Sequence, residues 1–134
     1  MSKRPISLLR LSRHCVFDLL RLEEVLLRRS NKSWCIVNDG VPKPAAVMGI
    51  SGKTESLINV AEAKEQRVEL IKRFTGGGTV VLDQDSILVS LICEAEQTPE
   101  VPLFPRPLMQ WSQKFYEPVF SASGDFKLSE TGKE

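Results

Sequence analysis

Three consecutive glycines stand between two short apolar runs in the sequence Lys72-Arg73-Phe74-Thr75-Gly76-Gly77-Gly78-Thr79-Val80-Val81-Leu82-Asp83. The flanking runs at 68–71 and 79–82 are rich in β-branched residues and predict two strands. Glycine loses more backbone freedom on folding than any other residue, so three in a row destabilise the fold. They are useful where a ligand must approach the main chain, because N–H groups without neighbouring Cβ atoms can converge on a phosphate or carboxylate. We therefore interpret this segment as an anion-binding loop; a structural hairpin is the alternative.

The side chains around the glycines suit the same kind of ligand. Arg73 offers a planar guanidinium fork for an anion, and Thr75 and Thr79 add hydroxyl groups at the rim. Asp83, beyond the second strand, is predicted to take a cation or to orient a polar group. The segment Gly52-Lys53-Thr54 is not a phosphate-binding Walker loop, because the first glycine of that motif is missing.

Outward from the loop, apolar periodicity predicts an α+β fold. Strands are expected at 6–11, 33–37, 45–50, 68–71, 79–82 and 86–93, and helices at 15–29, 59–66 and 108–120. With hairpins predominating, these elements indicate a mixed, mostly antiparallel sheet with helices packed on it. The run at 86–93 is apolar enough to predict a central strand.

Length and charge limit the function classes. The 134 residues, 42% of them apolar, suit one soluble domain, which we expect to span 1–120, with a poorly ordered polar tail at 121–134. The net charge of +1 excludes a nucleic-acid binder that works through bulk positive charge. No apolar run approaches the roughly 18 residues of a membrane span. The charge is uneven, with a net +5 over residues 1–32 and a net −5 over 83–134.

The three cysteines and the single histidine predict neither a metal site nor a disulfide framework. Cys15, Cys35 and Cys93 are far apart and odd in number, and only His14 accompanies them. Reduced thiols are typical of a cytoplasmic protein. The basic N-terminus faintly resembles an organelle transit peptide, so an organellar location stays open, although the folded pattern already begins near residue 6.

The glycine segment resembles the signature of the lipoate–protein ligase, octanoyltransferase and biotin–protein ligase catalytic-domain family. That signature is a basic residue, one variable residue, Ser or Thr, three glycines, a small residue, two variable residues, then His and Asp. The segment 73–83 matches it except that Leu82 replaces the histidine. The residues at 17–24 resemble the first helix of the family, and Ala46-Val47-Met48-Gly49 resembles its "V-V-I-G" strand. The resemblance covers residues 6–120.

The resemblance implies the fold of the class II aminoacyl-tRNA synthetase and biotin synthetase catalytic core. It also implies attachment of lipoate or octanoate to a lysine of an acceptor protein through an acyl-adenylate. ATP and lipoate would be the cofactors, with Mg²⁺ an additional ion. A lipoyl-acceptor domain would be the partner, with neither nucleic acid nor a membrane involved. The implied substrate- and adenylate-binding residues are Arg73, Thr75, Gly76, Gly77, Gly78, Thr79, Val80, Val81 and Asp83.

Two departures from the family pattern bear on activity. Leu82 removes a polar side chain from the expected pocket wall. The essential lysine of the family precedes a run of small residues, and nothing after Gly124 shows that pattern, since Lys127 and Lys133 lie in the polar tail. We assign no catalytic residue. We expect the N-terminal half of the catalytic domain, with a sheet incomplete at its C-terminus, in a truncated, weakly active or inactive form.

Two alternatives remain open from the sequence. The chain could be a non-catalytic protein-interaction module, in which the glycine loop is structural and the helix at 108–120 packs on a partner. It could also fail to fold stably by itself. The residues do not distinguish lipoate from octanoate or biotin.

Overall fold

A computed structural model describes residues 5–125 of the chain. The strands are β1 (Ser7–Ser12), β2 (Trp34–Asp39), β3 (Ala45–Met48), β4 (Glu69–Lys72), β5 (Val80–Leu82) and β6 (Ile87–Ile92). The helices are α1 (Val16–Arg29), α2 (Thr54–Leu57), α3 (Val60–Glu65) and α4 (Pro105–Phe120), and a 3₁₀ turn follows at Ser121–Ser123. Most of the predicted polar tail, 126–134, lies outside the described residues. The chain divides into two compact units after Ile92.

The first unit contains two three-stranded mixed sheets, ordered β1-β2-β6 and β4-β3-β5. The predicted α+β class is confirmed, but hairpins do not predominate among the described strands. Each sheet has one parallel and one antiparallel pair, and neither antiparallel pair joins consecutive strands. The reason is that α1 connects β1 to β2, and α2 with α3 connects β3 to β4. Such helical crossovers return the chain in the same direction and therefore produce parallel pairs.

Strand β6 lies at the edge of its sheet, not at the centre as its apolar sequence predicted. Its two faces have different surroundings. Leu88 packs against the core, while Ile87 and Val89 on the opposite face are 65% and 44% exposed. The pairing register places Val37 and, on β1, Leu8 on that same outer face. This sheet therefore has one covered face and one exposed face, on which apolar side chains lie beside the polar Arg10, Ser12 and Asp39.

The core of the first unit joins α1 to the second sheet. Its buried cluster consists of Val16, Val41, Ala45, Val47 and Ile71. Leu20, Leu82 and Leu88 pack against that cluster from α1, β5 and β6. Burial of apolar surface, at roughly 25 cal/mol per Å², is the main favourable contribution of such a cluster.

Asn38 fixes the turn between β1 and α1. It is fully buried, and its side chain accepts a hydrogen bond from the backbone N–H of His14 and donates one to the His14 carbonyl, both at 3.0 Å. The preceding residue, Arg13, has a positive φ of 48°. The Asn38 side chain thus satisfies the backbone N–H and the backbone C=O of His14, which follows the end of β1, and it fixes the start of α1.

The second unit is dominated by α4, which buries none of its residues. Four aromatic rings follow one another along it, Trp111, Phe115, Tyr116 and Phe120, with neighbouring centroids 5.1–5.8 Å apart. Within residues 5–125, no helix has the length and apolar character needed to cross a bilayer.

A carboxyl group on the inner side of α1 ties this helix to β6. The Ser90 hydroxyl donates a hydrogen bond to Oε1 of Glu23. Burial raises the pKa of the Glu23 carboxyl, and the hydrogen bond from Ser90 offsets part of that rise. The folded protein therefore binds this proton more tightly than the unfolded chain does. The free energy of unfolding decreases as the pH rises between the unfolded and folded pKa values, and the destabilisation is fully present at higher pH.

We expect Glu23→Gln to raise the melting temperature at pH 7, because the amide keeps an oxygen for Ser90 but carries no charge to desolvate. The advantage of the variant should shrink as the pH falls below the raised pKa of Glu23. Thermal unfolding between pH 4 and 8 measures both effects. Glu24→Gln is the matched control: it removes the exposed Glu24–Arg28 ion pair, so its effect should be small and destabilising. A lower melting temperature of Glu23→Gln at pH 7 would contradict the burial argument.

Candidate functional site

The glycine loop between β4 and β5 lies over the end of β3. The backbone N–H of Arg73 donates to the Met48 carbonyl, and that of Ile50 donates to the Thr75 carbonyl, both at 2.9 Å. A Cβ atom at Gly49 would overlap the carbonyl oxygen of Gly77. Gly49 is therefore the position that allows the loop to cross the strand end closely, which explains a glycine after the apolar run of β3.

The Arg73 side chain is bound to the loop itself. Its Nη2 donates to the carbonyl oxygens of Gly76 and Gly78, at 2.9 and 2.8 Å, and its Nε donates to Gly76 at 3.2 Å. The sequence predicted Arg73 as a ligand for an external anion, whereas here two of its nitrogens organise the loop. Within residues 5–125, Nη1 makes no hydrogen bond, so this part of the guanidinium remains for a ligand.

The fold requires glycine at only one of the three loop positions. Gly77 has φ +106°, and a Cβ atom there would lie 2.6 Å from Nη2 of Arg73, so the fold requires glycine at this position. Gly76 and Gly78 lie outside the left-handed region, and a Cβ atom at either would meet no heavy atom within 4 Å. The described fold does not itself need glycine at 76 and 78.

A cleft of about 400 Å³ opens between α1 and the chain segments at the ends of β3 and β4. Its apolar lining is Phe17, Leu20, Ile50 and Phe74, and its charged lining is Arg21, Glu24, Lys72 and Arg73. Three cations thus face one carboxylate among largely apolar walls. The volume lies within the usual range of roughly 300–1,000 Å³ for small-molecule sites. Such a cleft suits a ligand with an apolar chain and an anionic group.

Most of these lining residues were missed as site residues from the sequence. Leu20 packs against the core cluster and also lines the cleft, and the position of Arg21 follows only once α1 is placed beside β4. The guanidinium carbon of Arg21 lies 5.8 Å from the Phe17 ring centroid. Lys72 and Phe74 flank Arg73 in the sequence, and this adjacency was the one available signal for them.

The remaining predicted site residues lie outside the cleft lining. Thr75 is exposed and Thr79 is half-buried within the loop. Val80 and Val81 are 50% and 73% exposed on β5, at the edge of the second sheet. Beyond β5, the Ser86 hydroxyl and the backbone N–H of Asp85 bind the Asp83 side chain.

Asp83 acts within the turn between β5 and β6. Its Oδ1 accepts hydrogen bonds from the Asp85 N–H at 3.1 Å and the Ser86 hydroxyl at 2.8 Å. Leu82, expected on the pocket wall, instead packs against the core cluster, because its side chain is on the inner side of β5. Among residues 5–125, no group of three His, Cys, Asp or Glu side chains is arranged to hold a metal ion.

Comparison with known proteins gives consistent relatives. The family profile of the lipoyl protein ligase A/B catalytic domain matches residues 16–129. The chain is similar to inactive lipoate–protein ligase 2 of Plasmodium falciparum (isolate 3D7), with 31% identity over 131 residues. That match covers 78% of this chain and 33% of the relative, so the chain spans about a third of the length of this protein.

Solved structures share the fold at low sequence identity. A bi-partite lipoate protein ligase from Thermoplasma acidophilum, described with its E2 lipoyl domain, matches with TM-score 0.69 and 17% identity over 93% of this chain and 48% of that chain. LipL1 of P. falciparum in complex with lipoate matches with TM-score 0.65 and 15% identity. The match covers 92% of this chain and 39% of LipL1. A lipoate–protein ligase A bound with ATP matches with TM-score 0.57 and 19% identity. The match covers 66% of this chain and 36% of that ligase.

These matches agree on the family and on the fold. The family profile extends over most of the chain and includes the glycine loop, α1 and every described strand except β1. The low-identity structures support the arrangement of strands and helices by an independent route. The chain belongs to the lipoyl protein ligase A/B catalytic-domain family.

Proposed function

We propose that the chain binds the acyl-adenylate of lipoate or octanoate at the cleft and the glycine loop. The observation that carries the proposal is the contact between the two: Arg73 lines the cleft and also binds the carbonyls of Gly76 and Gly78. An amphipathic cleft is thereby joined to a segment of main chain that two glycines leave uncovered. The similarity to proteins whose structures contain lipoate or ATP supports the same ligand class.

The two parts of the site would hold different parts of the ligand. Phe17, Leu20, Ile50 and Phe74 would contact the acyl chain, whose burial is favourable because it leaves water. Lys72 and Arg73 would lie near the carboxyl and phosphate groups and reduce the repulsion between them, so that the acyl group and the α-phosphate can be aligned.

The nucleotide side of the ligand would lie along the loop and the start of β5, from Thr75 to Val81. The exposed backbone at Gly76 and Gly78 and the exposed surface of Val80 and Val81 support this placement. Mg²⁺ would accompany the triphosphate of ATP as its counterion. Asp83 has no part in this proposal because its carboxylate is used in the following turn.

We further propose that the family reaction, transfer of the acyl group to a lysine of a lipoyl-acceptor domain, is weak or absent in this chain alone. The support is the relative named as an inactive ligase, together with the missing pattern of a lysine followed by small residues. The similarity to a ligase described with its E2 lipoyl domain supports the acceptor as the partner. We place this function in the cytoplasm, because an odd number of separated cysteines is typical of a reducing compartment.

A protein-interaction module is the second candidate function. The observation in its favour is α4, which buries none of its residues and exposes Phe115 and Val119 by 47% and 63%. On that view the glycine loop is structural and binds no small molecule. Direct measurement of ligand binding therefore separates the two functions.

We expect the non-hydrolysable sulfamoyl analogue of lipoyl-AMP to bind the wild-type chain with micromolar affinity in calorimetric titration. Arg73→Ala should weaken binding at least tenfold, because it removes a cation of the cleft and the organiser of the loop. Arg73→Lys should also weaken it, since an ammonium group cannot reproduce the planar fork. Lys43→Ala, an exposed change away from the cleft, is the control. A folded wild type without measurable binding would favour the interaction module.

We expect the four glycines of the site to separate into two classes when changed to alanine. Gly49→Ala and Gly77→Ala should lower the free energy of unfolding by about 1–3 kcal/mol, through overlap or a strained φ. Gly76→Ala and Gly78→Ala should leave stability unchanged or slightly raised, since they reduce the freedom of the unfolded chain. They should nevertheless weaken the analogue about tenfold. Chemical denaturation and calorimetry measure the two effects, and unchanged binding in both loop variants would contradict the placement of the adenylate.

We expect the purified chain to transfer little or no lipoate to a lipoyl domain in the presence of ATP and Mg²⁺. Mass spectrometry of the acceptor detects the reaction, and an active lipoate–protein ligase supplies the positive control. Rapid and complete modification of the acceptor by this chain would overturn the proposal of weak or absent transfer, while leaving the proposed binding site intact.

A further inference from the structure

A second depression continues the cleft along the outer side of α1. It has a volume of about 220 Å³ and is lined by Arg21, Glu24, Val25, Arg28 and Arg29. We call it the arginine groove. Two of its residues, Arg21 and Glu24, also line the cleft, so the two depressions adjoin. At 1.5 Å per residue, the groove extends about 12 Å along the helix from Arg21 to Arg29.

The arginine groove carries unbalanced positive charge. Arg28 forms a 2.9 Å ion pair with Glu24, whereas Arg29 makes no ion pair within residues 5–125. The neighbouring carboxyl of Glu23 is not available, because it accepts a hydrogen bond from Ser90 on the other side of α1. Three arginines and one carboxylate leave the groove with a net charge of +2. The helix dipole accounts for basic residues in the last turn of α1, but not for Arg21 two turns earlier.

A protein substrate of the proposed site must bring its target lysine to the cleft, where the acyl group is held. The side chain of the lysine must enter the cleft, so the surface that surrounds this lysine must lie over the rim. On the α1 side, that rim is the arginine groove. Val25, which is 55% exposed between the arginines, offers an apolar contact of the kind found within protein interfaces.

We propose that the arginine groove docks carboxylate side chains of the acceptor protein that flank its target lysine. This inference rests on the proposed function, since it identifies the surface by which the same site receives its protein substrate. The attraction would raise the rate of encounter and orient the acceptor with its lysine toward the cleft. A free acyl-adenylate, held by the loop and the cleft, would not need Arg28 or Arg29.

The test compares two double charge reversals in the full chain. Arg28→Glu with Arg29→Glu changes the arginine groove, and Lys43→Glu with Lys64→Glu makes the same change in charge at exposed residues that line neither depression. The probe is an apo-lipoyl domain of net negative charge, titrated at 50 and 200 mM salt. The same titration with the sulfamoyl analogue of lipoyl-AMP reports on the small-molecule site.

We expect the groove reversal to weaken acceptor binding at least tenfold at 50 mM salt and to remove most of its salt dependence. The control reversal should change the affinity less than threefold, and neither should change binding of the analogue. Arg28→Gln with Arg29→Gln should give an intermediate loss, which separates the charge effect from any loss of helix stability. Replacing the acceptor carboxylates beside its target lysine by amides should weaken wild-type binding and leave the groove variant unaffected.

Three results would overturn the inference. Equal losses in the two reversals would mean that only the overall charge matters. Loss of analogue binding in the groove reversal, with the acceptor still bound, would assign the arginines to the small-molecule site. Absence of acceptor binding by a wild-type chain that binds the analogue would remove this surface as a docking site while leaving the proposed small-molecule function standing.

Discussion

Arg73 connects the strands of the second sheet to the loop and the loop to the cleft. Its backbone N–H donates to Met48 at the end of β3, and its side chain donates to the carbonyls of Gly76 and Gly78. The same residue lines the cleft beside α1. Because Gly49 allows the loop to cross the strand end, the side chain of Arg73 can reach both carbonyls. The position of the loop therefore depends on a close backbone contact and one guanidinium group.

The core cluster packs β3, β4 and α1 together beside the loop and the cleft. Val47 and Ile71 lie in the paired strands β3 and β4, and Val16 brings the first turn of α1 onto them. The cleft lies where α1 and the two strand ends meet, so its walls come from segments far apart in the sequence. A site of this kind needs both the sheet and the helix in place before any ligand can bind.

Much of the local structure could be predicted from the sequence, because it depends on neighbouring residues. The periodicity of α1 and the glycines between two apolar runs are signals of this type, and the structure contains both elements near the predicted bounds. The family signature likewise lies within one short segment. The α+β class was predicted from the number of strands and helices, with the expectation that hairpins predominate.

The errors concern relations between distant segments. The apolar sequence of β6 does not reveal whether a neighbouring strand covers its second edge, and the parallel pairs depend on helical crossovers rather than on strand composition. The hydrogen bonds from Arg73 to the glycine carbonyls depend on the path of the loop, and they leave the prediction of Arg73 as a ligand-binding residue untested. Leu82 was assigned by analogy with a pocket residue, but its inward position on β5 places it against the core.

The uncovered side of the first sheet has a consequence for colloidal behaviour. Leu8, Ile87 and Val89 lie on one face of three paired strands, and each is at least 44% exposed. Exposed apolar side chains beside a strand whose outer edge has no partner among residues 5–125 favour self-association as the protein concentration rises. Association of copies through this face would increase light scattering by the solution. Dilution would therefore favour the monomer.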